Sequence, residues 1–429
     1  MITPEALRAE RALVEVGRTG PGGAGLRACR TQDSGRSGET ARRAMSRWHE
    51  RGATAEAFPY AETVAHFRVT GRAAADGALV ALLRASYDSL PVKPSLLRAW
   101  LPSTFDQDDG DYHSYVCTGV LAWVVGRAAP DGRRRVLDEL VVATAADLLR
   151  IEAEALAATP DRAHEVRTRA AVRVLAACGV MMPALMSEQM AASASAKAVD
   201  ERSGSIQRTA RSLAGTVLDR VPGPLREAVE VTLLPMTRLH DEQMFIRCIQ
   251  IFEGVYEQVV TSLRRARVAL VSGDAESARD ELDSATARVR TTPAVFRVLT
   301  TMPVDVFAVI RGYTAGRSAV QSTAYRAVER LAASSARVGA AGAPASDGDE
   351  PSLQEAYLAL DRPSGVAHSM ACLDDAWNRM KRTHWGLTLK IIGRVPGTGG
   401  TSGADYLRQA LDQPLFPWLV NRGGEPWRT

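Results

Sequence analysis

The stretch His240-Asp-Glu-Gln-Met-Phe-Ile-Arg-Cys-Ile-Gln-Ile-Phe-Glu253 decides the fold class. Its apolar residues Met244, Phe245, Ile249 and Phe252 recur at spacings of one, four and three, the period of a helix face and not of a strand. The pattern continues to about Leu270 and recurs on both sides. Upstream lie Ala78–Tyr87, Tyr112–Gly126, Gly132–Ala157, Ala163–Met190 and Ser203–Val221, the last ended by Pro222-Gly-Pro224. Glu227–Leu234 is a further helical segment just ahead of the quoted stretch. Downstream, Asp274 is placed to cap a helix after a Ser-Gly turn, and Pro303–Arg311, Gln321–Ala332, Ser369–Ile392 and Gly403–Leu411 follow. Few runs alternate with period two, so the expected fold is all-α.

Composition narrows the class. The 429 residues are 46% hydrophobic and 24% charged, ordinary for a globular chain with a sizeable core. The formal charge of +4 comes from scattered arginines without a basic stripe interleaved with aromatics, so nucleic-acid binding is not expected. Cys29, Cys117, Cys178, Cys248 and Cys372 are far apart, and no CxxC occurs. That pattern speaks against a disulfide framework or a zinc knuckle and for free thiols in a reducing cytoplasm. The N-terminus has no apolar signal-like run, and the apolar run near Val116–Val125 is too short to span a bilayer. A cytoplasmic protein without a membrane anchor is expected. Residues 1–58, rich in Gly, Arg, Ser and Thr over 15–45, read as a mobile leader. Residues 59–222 form an N-terminal helical region without an assigned role, and 223–429 a second helical block containing a low-complexity linker at 335–350.

One segment of the second block carries candidate chemistry: Trp377-Asn-Arg-Met-Lys-Arg-Thr-His384-Trp-Gly-Leu-Thr-Leu-Lys-Ile-Ile-Gly393, then Arg-Val-Pro396-Gly-Thr398-Gly-Gly-Thr-Ser-Gly403. It offers an imidazole on a rigid helix, the side chain that serves as axial ligand to haem iron. The small-residue loop that follows can approach a large flat ligand closely. The loop lacks a GK[ST] ending, misses the GxGxxG spacing and follows no strand, so nucleotide binding is not supported. His240-Asp-Glu lacks the second histidine of a zinc-protease helix. Arg311, among Phe307, Val309 and Ile310, is either a solvated arginine or one that clamps a carboxylate through two parallel hydrogen bonds.

Taken in order, these segments resemble tryptophan 2,3-dioxygenase and the wider haem-dependent aromatic oxygenase superfamily. The matching residues are His240-Asp-Glu, Phe245, Gln250 and Glu253, then Arg311, Gln321-Ser, Tyr325-Arg and Glu329, then His384, Ile391-Ile-Gly393, Pro396-Gly-Thr-Gly-Gly-Thr-Ser-Gly-Ala-Asp-Tyr-Leu407 and Phe416-Pro417. The resemblance covers roughly residues 225–425. It implies a helical bundle around a haem pocket, haem b as cofactor, an aromatic amino-acid substrate with O2 or peroxide, and a homo-oligomer. It implies that His384 is the proximal iron ligand, with Gly397 and Gly399 in the loop beside the cofactor. Phe245, Ile249 and Phe307 would line the ring pocket, Arg311 would hold the substrate carboxylate, and Thr398 would contact the amino-acid end.

The departures from the family pattern fall on the distal side. Ile249 stands where those dioxygenases place a histidine, and Phe307 where they place a tyrosine. Ser318-Ala-Val320 replaces a Ser-Gly-Phe, and the connection to the His384 helix is short. The amino-acid handle is therefore expected to be recognised while ring chemistry or ring identity has changed. Two other readings stand beside dioxygenation. One is a haem-dependent monooxygenase or rearrangement enzyme of secondary metabolism acting on tryptophan or tyrosine derivatives, and the other is a non-catalytic haem-binding helical protein. Covalent haem attachment through His368-Ser-Met-Ala-Cys372 does not fit the spacing to His384.

Overall fold

The computed structural model describes residues 31–105, 111–199, 203–314, 321–333, 350–360, 363–393 and 402–421. Among these, every regular element is helical and no strand forms, as the periodicity implies. Residues 335–349 of the low-complexity linker and the loop residues Gly397, Thr398 and Gly399 lie outside the described residues. Part of the stretch expected to be a mobile leader is a helix, Thr31–Glu50. Its apolar face (Ala41, Ala44, Met45 and Trp48) is buried but confined to the second half, so the glycine-rich first half hides the period.

Two compact units divide the chain, and the division does not fall at 222/223. The first comprises the described residues within Met1–Ile251 and Arg297–Gln321; the second comprises those within Phe252–Phe296, Ser322–Val395 and Ser402–Thr429.

The first unit is built around the helix Arg133–Ala158. Helices Arg162–Gly179, Ser203–Leu218 and Gly223–Val231 pack against it, and every residue from Leu137 to Leu149 is buried. A helix wrapped this way must be apolar on all sides or pair its charges. It does both, because Asp147 and Glu152 are buried on it. Elsewhere the helix expected over Tyr112–Gly126 breaks into Tyr112–Tyr115 and Thr118–Gly126. Cys117 between them has a left-handed φ of 56°, rare for a residue with a Cβ. Gly71 is required for a close approach: its φ is +73°, and a Cβ there would lie 2.4 Å from the Met236 carbonyl oxygen. The next two amides, Arg72 and Ala73, donate to Pro235 O and Met236 O at 2.8 and 3.1 Å. These bonds dock the segment that leads into the helix His240–Val271.

In the second unit the long helix Ser364–Ile391 packs against Ala275–Val289 and Ala404–Leu411. Asp274 caps the Ala275 helix as expected, its carboxylate accepting from the Ser277 amide at 3.0 Å. Lys381 donates to Ala410 O at 2.7 Å and also to Gln413 O, and Asp374 accepts from the Leu415 and Phe416 amides. These buried polar ties hold the C-terminal segment along the helix. Among the described residues no single helix is long and apolar enough to cross a membrane.

Candidate functional site

In the first unit the site is set by the opening turn of the helix His240–Val271. Each of three successive side chains binds a different part of the fold. His240 Nε2 pairs with Glu152 Oε1 at 3.1 Å. Asp241 pairs with Arg167 at 2.6 Å, and Arg167 also donates to Thr301 Oγ1 at 2.9 Å. The Glu242 carboxylate accepts from the Tyr115 hydroxyl at 2.9 Å and from the amides of Met236 and Thr237 at 3.0 and 2.6 Å. Burial opposes charge on His240, yet Glu152 beside it holds its pKa above the ordinary histidine value. Burial likewise raises Glu152, and the His240 contact, with Arg167 and His164 nearby, more than reverses this, leaving it below the usual carboxylate range.

Two turns further on, Arg247 and Gln250 complete the anchoring. Arg247 donates to Asp147 Oδ2, Thr232 Oγ1, Gln250 Oε1 and Val229 O at 2.7, 3.0, 2.6 and 2.8 Å. The Gln250 amide donates to Val116 O and Thr232 O. So His240, Asp241, Glu242 and Gln250, matched to the dioxygenase pattern as a motif, act here as structural ties. Asp241 and Arg167 are both buried, and burial of both sides of a charged pair makes it costly to break.

The other face of this helix is different. Phe245 and Ile249, one turn apart, are only half-buried, whereas Met244, Ile246, Arg247 and Cys248 are buried. Met244 therefore does not share the Phe245 face, contrary to the sequence grouping; its sulfur lies 3.9 Å from Cys248 Sγ on the core side. Phe307, on the helix Val304–Tyr313, meets Phe245 edge-on with ring centroids 5.7 Å apart at 67°. Arg311 lies one turn beyond Phe307 and is also half-buried. The structure thus joins Phe245 to Phe307 and puts Ile249 and Arg311 one turn from them on their helices. The side chains of Phe245, Ile249 and Phe307 offer no hydrogen-bonding atom, so this part of the face cannot transfer a proton.

His384 belongs to the second unit, near the end of Ser364–Ile391. It is half-buried, and burial lowers its pKa to about 4, so the imidazole is neutral at physiological pH. Among the described residues neither ring nitrogen has a hydrogen-bond partner. Its ring stacks on Phe296, with centroids 5.7 Å apart at 24°. A neutral imidazole with an open nitrogen on a rigid helix fits the needs of an axial haem ligand. Among the described residues, no group of three or more His, Cys, Asp or Glu side chains is arranged to hold a metal ion directly. Cys372 Sγ lies 3.6 Å from His368 Nε2, one turn away on the same helix.

Sequence reasoning missed Phe296, Glu152, Asp147 and Arg167. Phe296 falls 88 residues from its ring partner, and nothing in either local pattern marks the pairing.

No protein-family model matches the chain. It is similar to curated proteins named tryptophan 2,3-dioxygenase. It is 27% identical over 235 residues to that of Anaeromyxobacter sp. (strain K), a match covering 43% of this chain and 88% of the relative. A match to the protein of Polaromonas sp. (strain JS666 / ATCC BAA-500) is also 27% identical, over 233 residues, covering 43% of this chain and 79% of the relative. A shorter match, 46% identical over 54 residues, is to that of Paraburkholderia phytofirmans, covering 13% of this chain and 18% of the relative.

Proposed function

We propose that this protein is a haem-dependent oxygenase acting on an aromatic amino acid, namely tryptophan or a tryptophan derivative. The observation that carries the reading is His384, a neutral, half-buried imidazole with no hydrogen-bond partner among the described residues. The similarity to proteins named tryptophan 2,3-dioxygenase supports it. Haem b, when bound, would supply the binding and activation of O2, which oxidises the substrate.

The chain's own residues hold and orient. His384 binds iron through one ring nitrogen. Arg311 takes the substrate carboxylate as a charge-assisted pair, giving both orientation and specificity. Thr398, with Gly397 and Gly399 in the same loop, serves the amino-acid end and the cofactor. Phe245, Ile249 and Phe307 receive the ring. With no acid or base among those three, proton transfer on the ring side is not theirs to supply, and dioxygenation with O2 suits them better than a peroxide route that gains from a proton donor. They also leave a ring N–H unanswered. An unpaired polar hydrogen buried against them costs about 1–3 kcal/mol, so either the substrate is a modified tryptophan or its ring N–H faces another group.

The test is the absorption spectrum of the haem-loaded protein, with and without tryptophan and 1-methyltryptophan. His384→Ala is expected to abolish haem binding or the native Soret band. A normal haem spectrum in that variant rejects the ligand assignment, and the absence of any substrate-dependent spectral change rejects the oxygenase. Product mass separates the two enzyme readings: two added oxygen atoms after reduction and O2 addition for dioxygenation, and one added atom for monooxygenation, which needs hydrogen peroxide, or O2 with an excess of added reductant.

A further inference from the structure

We propose that Phe296 is a positioning residue for His384: the plane of its ring, and not a hydrogen bond, sets the rotation of the imidazole about its Cβ–Cγ bond. The inference rests on the reading of His384 as the haem ligand.

A ligating histidine ordinarily donates its second N–H to a carboxylate, carbonyl or water, which fixes the ring and makes it a stronger donor. Among the described residues His384 has no such acceptor, and Phe296 offers another means of orientation. The two rings lie nearly parallel at 24° with centroids 5.7 Å apart, within the range of offset stacking. Rotating the imidazole out of that plane drives its edge toward the face of the phenyl ring.

A stack can orient a neighbour only if it is itself held. Phe296 is 4% exposed and packs against Phe252 with centroids 4.6 Å apart. Phe252 stacks on Tyr256 at 6.2 Å and 23°. Tyr256 meets Tyr325 and Trp377 edge-on at 5.4 and 5.6 Å, and Tyr325 stacks on Trp377 at 5.1 Å. Trp377 is fully buried and lies on the same helix as His384, about two turns earlier. The contacts therefore close a circuit: from His384 through Phe296, Phe252 and Tyr256 to Trp377, and back along the helix. Phe296 is held by Phe252, Phe252 by Tyr256, and Tyr256 by Tyr325 and Trp377, so the plane presented to His384 is fixed with them.

The test uses the full-length, haem-loaded protein and the electron paramagnetic resonance spectrum of a low-spin ferric adduct, whose anisotropy reports the orientation of the axial imidazole plane. Phe296→Leu keeps apolar volume and removes the ring plane; Phe296→Tyr keeps the plane. Wild type and Phe296→Tyr are expected to give one sharp species, and Phe296→Leu a split or broadened one at unchanged haem content. A Phe296→Leu spectrum superimposable on wild type overturns the proposal. A second arm does not depend on altering the core. His384→Gly filled with free imidazole retains Phe296, so a single sharp species is expected, and several orientations overturn the proposal. If His384→Ala instead keeps the wild-type Soret band, the ligand reading itself has failed and the positioning role falls with it. That result differs from an intact ligand whose orientation ignores Phe296.

Discussion

Asp147 and Arg247 form an ion pair at 2.6 Å, with side chains 1% and 0% exposed, although a hundred residues separate them. Arg150 binds the same carboxylate at 2.7 Å. Burial raises the Asp147 pKa, but the two guanidiniums outweigh it and hold the group below the usual carboxylate range. Removing one partner of such a pair leaves a buried charge without its counter-charge, at a cost of about 3–5 kcal/mol. Asp147→Ala is therefore expected to lose about that much in urea unfolding. The double variant Asp147→Leu, Arg247→Met is expected to lose less than the single one. A loss under about 1 kcal/mol for Asp147→Ala would mean that Arg247 finds compensation elsewhere.

Stability should depend on pH through His240 and Glu152. His240 has a raised pKa in the fold, so its contribution is complete below the ordinary value of about 6.5 and fades as pH climbs through the raised one. Glu152 has a lowered pKa, so its contribution is complete above the ordinary value of about 4.3 and fades as pH falls through the lowered one. The groups around them are Asp241, Arg167, His164 and Cys248. Melting temperature should peak between about pH 5 and 6.5 and decline on the alkaline side. His240→Gln should flatten the alkaline decline; an unchanged slope in that variant would assign the decline to other groups.

Arg311→Ala should weaken binding of aromatic amino acids by about 10- to 100-fold, the range of a hydrogen bond to a charged group. Because Arg311 is half-buried at the end of its helix, the melting temperature should move little. Tryptamine, which has no carboxylate, provides the control. Equal losses for tryptamine and tryptophan would show that the variant damages the site in general and not the clamp.

Ile249→His adds a hydrogen-bonding ring to the half-buried face beside Phe245. It should shift preference toward tryptophan over 1-methyltryptophan by about 5- to 150-fold, the equivalent of 1–3 kcal/mol. Titration calorimetry on wild type and variant gives the ratio directly, and an unaltered ratio would remove Ile249 from the ring pocket.

Elements with a strong local period were legible in the sequence. Helices expected over Gly132–Ala157 and His240–Leu270 occur at Arg133–Ala158 and His240–Val271. Ala163–Met190 reads as one helix but stops at Gly179, and the chain turns before Glu188. Pro183 within that stretch was the available signal. The break at Cys117 had none, because a left-handed cysteine is imposed by its surroundings. Phe245, Ile249, Phe307 and Arg311, chosen through the family resemblance, are half-buried. Their separation from the buried ties on the same helix did not follow from period alone, since charged Arg247 occupies the core side. Pairings such as Arg167 with Asp241 join residues 74 apart, and no local pattern encodes them.

The opening turn of the helix His240–Val271 makes the first unit intolerant of a particular kind of change. His240, Asp241 and Glu242 reach Glu152, Arg167 and Tyr115 at once. Inserting a single residue between Leu239 and His240 would demand either that these three contacts break together or that the inserted residue bulge out of the turn. Deleting one within the turn would rotate everything after it by about 100°, carrying Phe245 and Ile249 off their face while their identities stayed the same. Length variation should therefore be absent across residues 236–250 in functional variants of this chain, even where substitutions are tolerated. The N-terminal helices, which supply all three contacting partners, are what give that register its meaning.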